Sequence, residues 1–161
     1  MTLKQFNDYL NSFDYGAVIN GEKHTDLDNV DWSEYKTLSP EDFEDARMGI
    51  CWDFVNYQHR VFELCGIENK SYFYVKRLSD DHTDIVTHTF SMLYDDTAWF
   101  ESSLQSHQGI FEVKSVQDVF DALEKAYPSD YPGELYEYDA DKTIGLSDHE
   151  FFNEATDRRV I

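Results

Sequence analysis

Gly49-Ile50-Cys51-Trp52-Asp53 leads straight into an apolar pattern that recurs at helical spacing: Cys51, Phe54, Val55, Phe62 and Cys65, with Val61 beside them. That spacing predicts a helix over residues 50–65, with Gly66 as its stop. Asp53 falls in the first turn, where a carboxylate complements the positive end of the helix dipole. The pentapeptide therefore sets a thiol at a helix N-terminus. Free N–H groups and the dipole there both favour the thiolate, which is the reactive form of cysteine. A free cysteine is more often a small buried apolar residue, so the stretch gains chemical meaning only from its surroundings.

Upstream, residues 2–13 read as a short amphipathic helix with Leu3, Phe6, Leu10 and Phe13 on one stripe and a Thr2/Gln5 capping box. Residues 15–38 read as a mixed, polar connection with an Asn20-Gly21 turn, pinned to the core by Trp32 and Tyr35. Ser39-Pro40-Glu41-Asp42 has the form of a helix start: a capping serine, proline at the first helical position, then acids.

Downstream the period changes from helical to two. Strands are predicted over residues 72–78, 85–94 and 98–102, with Asp95-Asp96-Thr97 as the hairpin turn between the last two. Val86, His88, Phe90 and Met92 share one face of the second strand, and Trp99 and Glu101 share one face of the third. The run Tyr72-Phe73-Tyr74 reads as a strand buried on both sides. A further strand is expected over residues 110–113, then a helix from Ser115 carrying Val116, Val119, Phe120 and Leu123. Asp118 stands at capping-box spacing, and Pro128 and Pro132 follow the helix. A short strand over residues 135–138 and a helix over 147–156 with a Ser147/Glu150 box complete the chain. Helices, an antiparallel meander and helices again define an α+β fold. The expected core is a cysteine-bearing helix packed on an antiparallel sheet, flanked by N- and C-terminal helices.

The chain has 161 residues, 41% of them apolar and 16% aromatic, enough for one domain over 1–161 with a proper core. Lys+Arg number 13 against 33 Asp+Glu, a formal net charge of -20. Such a surface repels nucleic acid and anionic membranes and suits a basic partner or substrate. No secretory leader and no apolar run of membrane-spanning length is read from the sequence. Two cysteines make no disulfide framework. On one helix, Cys51 and Cys65 lie about 21 Å apart, too far to bridge. A reduced, cytoplasmic chain is expected, with Cys65 as a packing residue. No glycine-rich phosphate loop occurs, and His82, His88 and His107 lack metal-ligand spacing, so neither cofactor nor metal is expected.

Nucleophilic cysteine chemistry needs a thiol at an electropositive spot, an imidazole in hydrogen-bond reach and a group that orients the imidazole. Cys51, His88 and Glu101 supply those types in that order. The hairpin turn brings His88 opposite a position near 104, with Glu101 offset by a residue or so. Taken singly, His88 reads as a satisfied core histidine and Glu101 as an ordinary hairpin acid; the ordered set gives them a role.

Three stretches, Gly49-Ile50-Cys51-Trp52-Asp53, Thr87-His88-Thr89-Phe90 and Trp99-Phe100-Glu101-Ser102, follow each other as in the transglutaminase-like branch of the papain-like cysteine enzymes. The chain resembles that branch over roughly residues 39–125, and small bacterial and mobile-element members of it most closely. The resemblance implies Cys51 as nucleophile, His88 as general base and acid, and Glu101 as orienting acid. It implies acyl transfer or amide hydrolysis on a protein or peptide substrate through a thioester. The orienting acid of transglutaminases proper is most often Asp; here it is Glu101. The superfamily also places an oxyanion donor upstream of its cysteine. Here the position six residues before Cys51 is Asp45, which cannot donate when ionised. The Cys51 backbone N–H and the Trp32 indole N–H are the donors on offer. A non-enzymatic alternative rests on charge alone: an acidic interaction protein of a mobile element, of the inhibitor or DNA-mimic type.

Overall fold

The computed structural model describes residues 1–161, the side chain of Gln105 apart. α1 (Leu3–Asn11) starts at Thr2, and Thr2 and Gln5 exchange the two hydrogen bonds of a capping box. The chain then runs through β1 (Asp14–Tyr15) and a hairpin of β2 (Ala17–Ile19) and β3 (Glu22–His24) turned at Asn20-Gly21. The region read as a plain connection thus holds three short strands. Trp32 and Tyr35 do pin its remainder: Tyr35 is fully buried and Trp32 packs on the same cluster.

α2 (Pro40–Ala46) opens with the Ser39 hydroxyl accepting the Asp42 N–H. β4 (Met48–Gly49) follows and pairs in parallel with β1, matching Asp14 to Met48 and Tyr15 to Gly49. α3 (Cys51–Leu64) begins at the cysteine itself. At its other end Cys65 is exposed, not packed. The expectation of a packing role for Cys65 fails because the apolar stripe leaves the core at Phe62, which is fully buried.

β5 (Asn69–Arg77), β6 (Ile85–Leu93), β7 (Ala98–Glu101), β8 (Gly109–Glu112) and β9 (Glu134–Tyr138) form one antiparallel sheet in the order β8-β7-β6-β5-β9. α4 (Val116–Ala126) lies between β8 and β9 in sequence. Its Asp118 does not box with Ser115 but accepts the N–H of Lys114. α5 (Asp148–Ala155) has the Ser147/Glu150 box in full.

Alternation along the strands divides the core. Tyr72, Tyr74, Phe90 and Met92 meet Val119, Phe120 and Leu123 of α4, while Phe73 meets Trp52 and Val55 of α3. Phe54 and Phe62, also on α3, pack with Phe6, Leu10, Leu93 and Phe100. Each such side chain contributes about 1.5–3 kcal/mol on burial. Trp52 fixes the rotation of α3: its ring stacks on Phe151 of α5 at 4.0 Å with planes 4° apart, and Tyr35 and Phe73 approach its edges. The fold is α+β, with the cysteine helix against an antiparallel sheet, as expected. Among the described residues, no helix is long and apolar enough to cross a membrane.

Candidate active site

The N-terminus of α3 is held from below by Asp53. This residue has no exposed surface. Its Oδ2 accepts the Ile50 N–H at 3.0 Å, and its Oδ1 accepts the Leu38 N–H at 2.8 Å and the Tyr35 hydroxyl at 3.0 Å. Burial outweighs these three donors and raises its pKa to about 6. The side chain that looked like a dipole partner therefore also ties the loop before α2 to the first turn of α3. Gly49 makes the close approach possible, since a Cβ there would stand 2.7 Å from both the Asp53 Cβ and the Phe43 ring.

Cys51, His88 and Glu101 come together. β6 pairs with β7 only from Ser91 to Leu93, so His88 lies beyond the end of that ladder. Glu101, the last residue of β7, reaches it there: the His88 Nε2–H donates to Glu101 Oε1 at 2.5 Å, with both side chains buried. The other carboxylate oxygen accepts the backbone N–H groups of Ser103 and Leu104 at 3.1 and 3.3 Å. Asn7 of α1 donates to the Glu101 carbonyl at 2.8 Å. Glu101 is thus fixed at its side chain and at its backbone.

With Nε2 engaged by Glu101, Nδ1 is the imidazole nitrogen left for the thiol. Burial pushes the Cys51 thiol up, but the hydrogen bond and charge of His88, with help from Thr89, overcome it and hold the thiol below its ordinary value. Burial also works against a charged His88. The Glu101 carboxylate and the Cys51 sulfur more than compensate and carry it up to about 10. The two shifts share one contribution, mutual stabilisation of a thiolate and an imidazolium, to which Glu101 adds on the histidine side and Thr89 on the thiol side.

The sequence reading missed Tyr15. The backbone N–H of Cys51, expected as an oxyanion donor, donates instead to the Tyr15 hydroxyl at 3.2 Å. Burial of that hydroxyl and the nearby sulfur charge raise the Tyr15 pKa well above its ordinary value, so it stays a neutral phenol. It therefore keeps its O–H as a donor, with the Cys51 side chain in hydrogen-bond reach. No local signal marks Tyr15; it arrives through the two-residue parallel pairing of β1 with β4. Trp32 lines the cavity that Cys51 faces, but its indole N–H makes no hydrogen bond among the described residues.

One set of metal-type ligands also assembles, away from Cys51: His59, Asp139 and Asp141, with ligand atoms within 4.8 Å of one another. Protein partners account for these groups. His59 meets Asn69 through Nδ1 and Asp141 through Nε2, and Asp139 accepts the Asp141 N–H. Comparison with family models, curated proteins and solved structures finds no match to this chain.

Proposed function

We propose that the protein is a cysteine-dependent acyl-transfer enzyme or amidase, built on a transglutaminase-like core, with Cys51, His88 and Glu101 as its triad. The observation that carries this is the buried thiol–imidazole–carboxylate line at a helix N-terminus, with its carboxylate end fixed by further hydrogen bonds. The Cys51 thiolate attacks an amide or ester carbonyl, forming a C–S bond and an oxyanion. The Tyr15 O–H is the donor on offer to that charge, and the Cys51 N–H joins it only by leaving the Tyr15 hydroxyl; such donors are commonly worth about 10²–10³ in rate. His88 gives its Nδ1 proton to the departing amine as the C–N bond breaks. Water or a second amine then attacks the thioester, returns a proton to His88 and releases the thiolate. Glu101 keeps the ring oriented and stabilises its cation. The acidic surface favours a basic protein or peptide substrate, and free thiols at Cys51 and Cys65 suit a reducing, cytoplasmic setting.

The test is iodoacetamide alkylation against pH, with Cys51 and exposed Cys65 read separately by peptide mass spectrometry. Cys51 should react with a midpoint below the ~8.5 of a free thiol. His88→Ala should move that midpoint upward, because burial, the largest influence on the thiol, is then opposed only by Thr89. A Cys51 profile indifferent to His88 would refute the proposal. The net charge of -20 supports a second reading, an acidic decoy for a basic protein, which predicts binding that weakens with salt and survives Cys51→Ala.

A further inference from the structure

Two cavities meet at the dyad. One, of about 570 Å³, has Cys51 in its wall together with Leu27, Trp32, Ile50, Ile85 and Phe152. The other, of about 620 Å³, has His88 in its wall together with Asn11, Asp14, Ser102, Ser103 and Gln108. Tyr15 and Thr87 line both, and so form the partition between them. The contrast is chemical as well as spatial, and one of degree: large apolar side chains predominate beside the sulfur, with Thr83, Asp148 and His149 among them, whereas hydroxyls, amides and a carboxylate predominate on the imidazole side, where Phe13, Phe54 and Leu104 also reach the wall.

We infer that the cavity beside Cys51 binds a large apolar side chain, aromatic or branched aliphatic, on the acyl half of the substrate, and that the cavity beside His88 receives a polar leaving group. This rests on Cys51 being the nucleophile proposed above. The direction follows from the chemistry. Once the C–S bond forms and the C–N bond breaks, the acyl half stays on sulfur and its side chain stays on the Cys51 side. The leaving amine must take its proton from His88 and so departs on the polar side. Water or an acceptor amine enters by the same polar cavity, since His88 must take the proton it gives up. Among the described residues neither cavity contains lysine or arginine, and each contains a carboxylate, Asp148 on the apolar side and Asp14 on the polar side. An anionic acyl side chain is thereby disfavoured.

The experiment uses the intact protein and benzyloxycarbonyl-aminoacyl chloromethyl ketones, which transfer their methylene carbon to the Cys51 sulfur with loss of chloride. Phe, Leu, Gly and Asp reagents are compared by rate of adduct formation at Cys51, read by mass spectrometry. Phe and Leu reagents should react at least about tenfold faster than Gly, the scale of burying one apolar side chain, and Asp should be slowest. Ile85 is 42% exposed, so Ile85→Asp alters the cavity without opening the core. It should cut the Phe-over-Gly ratio to below about threefold. Equal rates for Phe and Gly, or no adduct with any of these reagents in protein whose Cys51 still shows His88-dependent alkylation, overturns the inference and leaves the triad standing. Alkylation indifferent to His88 in the same samples overturns both.

Discussion

Asp53→Asn is the most revealing single change near the site, because two physical effects oppose each other there. Three donors point at the carboxylate and favour its charge, while complete burial disfavours it. Burial wins, placing the folded-state pKa at about 6 against an ordinary 3.8. The sign follows directly. The folded protein holds this proton more tightly than the unfolded chain, so the group's contribution to stability is fully present below pH ~4 and is lost as pH rises through ~6. At ~1.36 kcal/mol per unit the loss is ~3 kcal/mol. Asparagine does not titrate, but it offers one acceptor where the carboxylate offers two. Whichever way the amide turns, either the Ile50 or the Leu38 N–H loses its partner, at a cost of about 1–3 kcal/mol. Urea unfolding of both proteins from pH 4 to pH 7 isolates the effect, since other carboxylates titrate in both and cancel in the difference. The wild type's advantage should shrink by roughly 2.4 kcal/mol across that range, part of the full loss having already occurred at pH 4. An advantage that stays constant, or grows with pH, would refute the reasoning and mean that the hydrogen bonds outweigh burial.

Tyr15→Phe should slow acylation of Cys51 by p-nitrophenyl acetate by about 10²-fold, while alkylation by iodoacetamide, which forms no oxyanion, keeps its rate; faster acylation would show that the hydroxyl occupies the Cys51 N–H instead of assisting it. Gly49→Ala sets a Cβ 2.7 Å from Asp53 and from Phe43, which is fully buried, and should cost roughly 1–3 kcal/mol in denaturant unfolding, with a loss of Cys51 reactivity in the fraction that stays folded; an unchanged unfolding midpoint would mean that the α2–α3 corner yields freely.

What could be read from the sequence depended on how local its cause was. α1, α2 and α5 carry their own caps within four residues, so their starts are written in short motifs. β5 and β6 announce themselves by alternation, and the split of Tyr72 and Tyr74 from Phe73 across the sheet is period two made visible. His88 and Glu101 were found because a hairpin turn a few residues long fixes their register. Tyr15 depends on a parallel pairing across more than thirty residues between two-residue strands, too short to leave any periodicity. Asn7 likewise reaches Glu101 from the opposite end of the chain. Trp32 is a candidate donor by residue type alone, with no spacing that ties it to Cys51. The fold instead brings the Tyr15 phenol to the Cys51 N–H and leaves Trp32 in the wall of the same cavity.

The placement of charge bears on which of the two functional readings deserves the first experiment. A decoy acts through its carboxylate field and gains nothing from burying any of it. Here Asp53 and Glu101 have nearly all their surface removed from water, an expense of several kcal/mol per ion unless each is fully partnered. Glu101 is so partnered, by an imidazole and two backbone N–H groups. The imidazole in turn faces the thiol. Structural needs at that point would be met by an apolar pair of the same volume, which is often no less stable than a buried ion pair. A buried acid aligned on a buried histidine, aligned on a thiol that opens to a cavity, is costly for packing and useful for chemistry. The dyad is therefore the feature to test first, with the surface charge read as what brings a basic substrate to it.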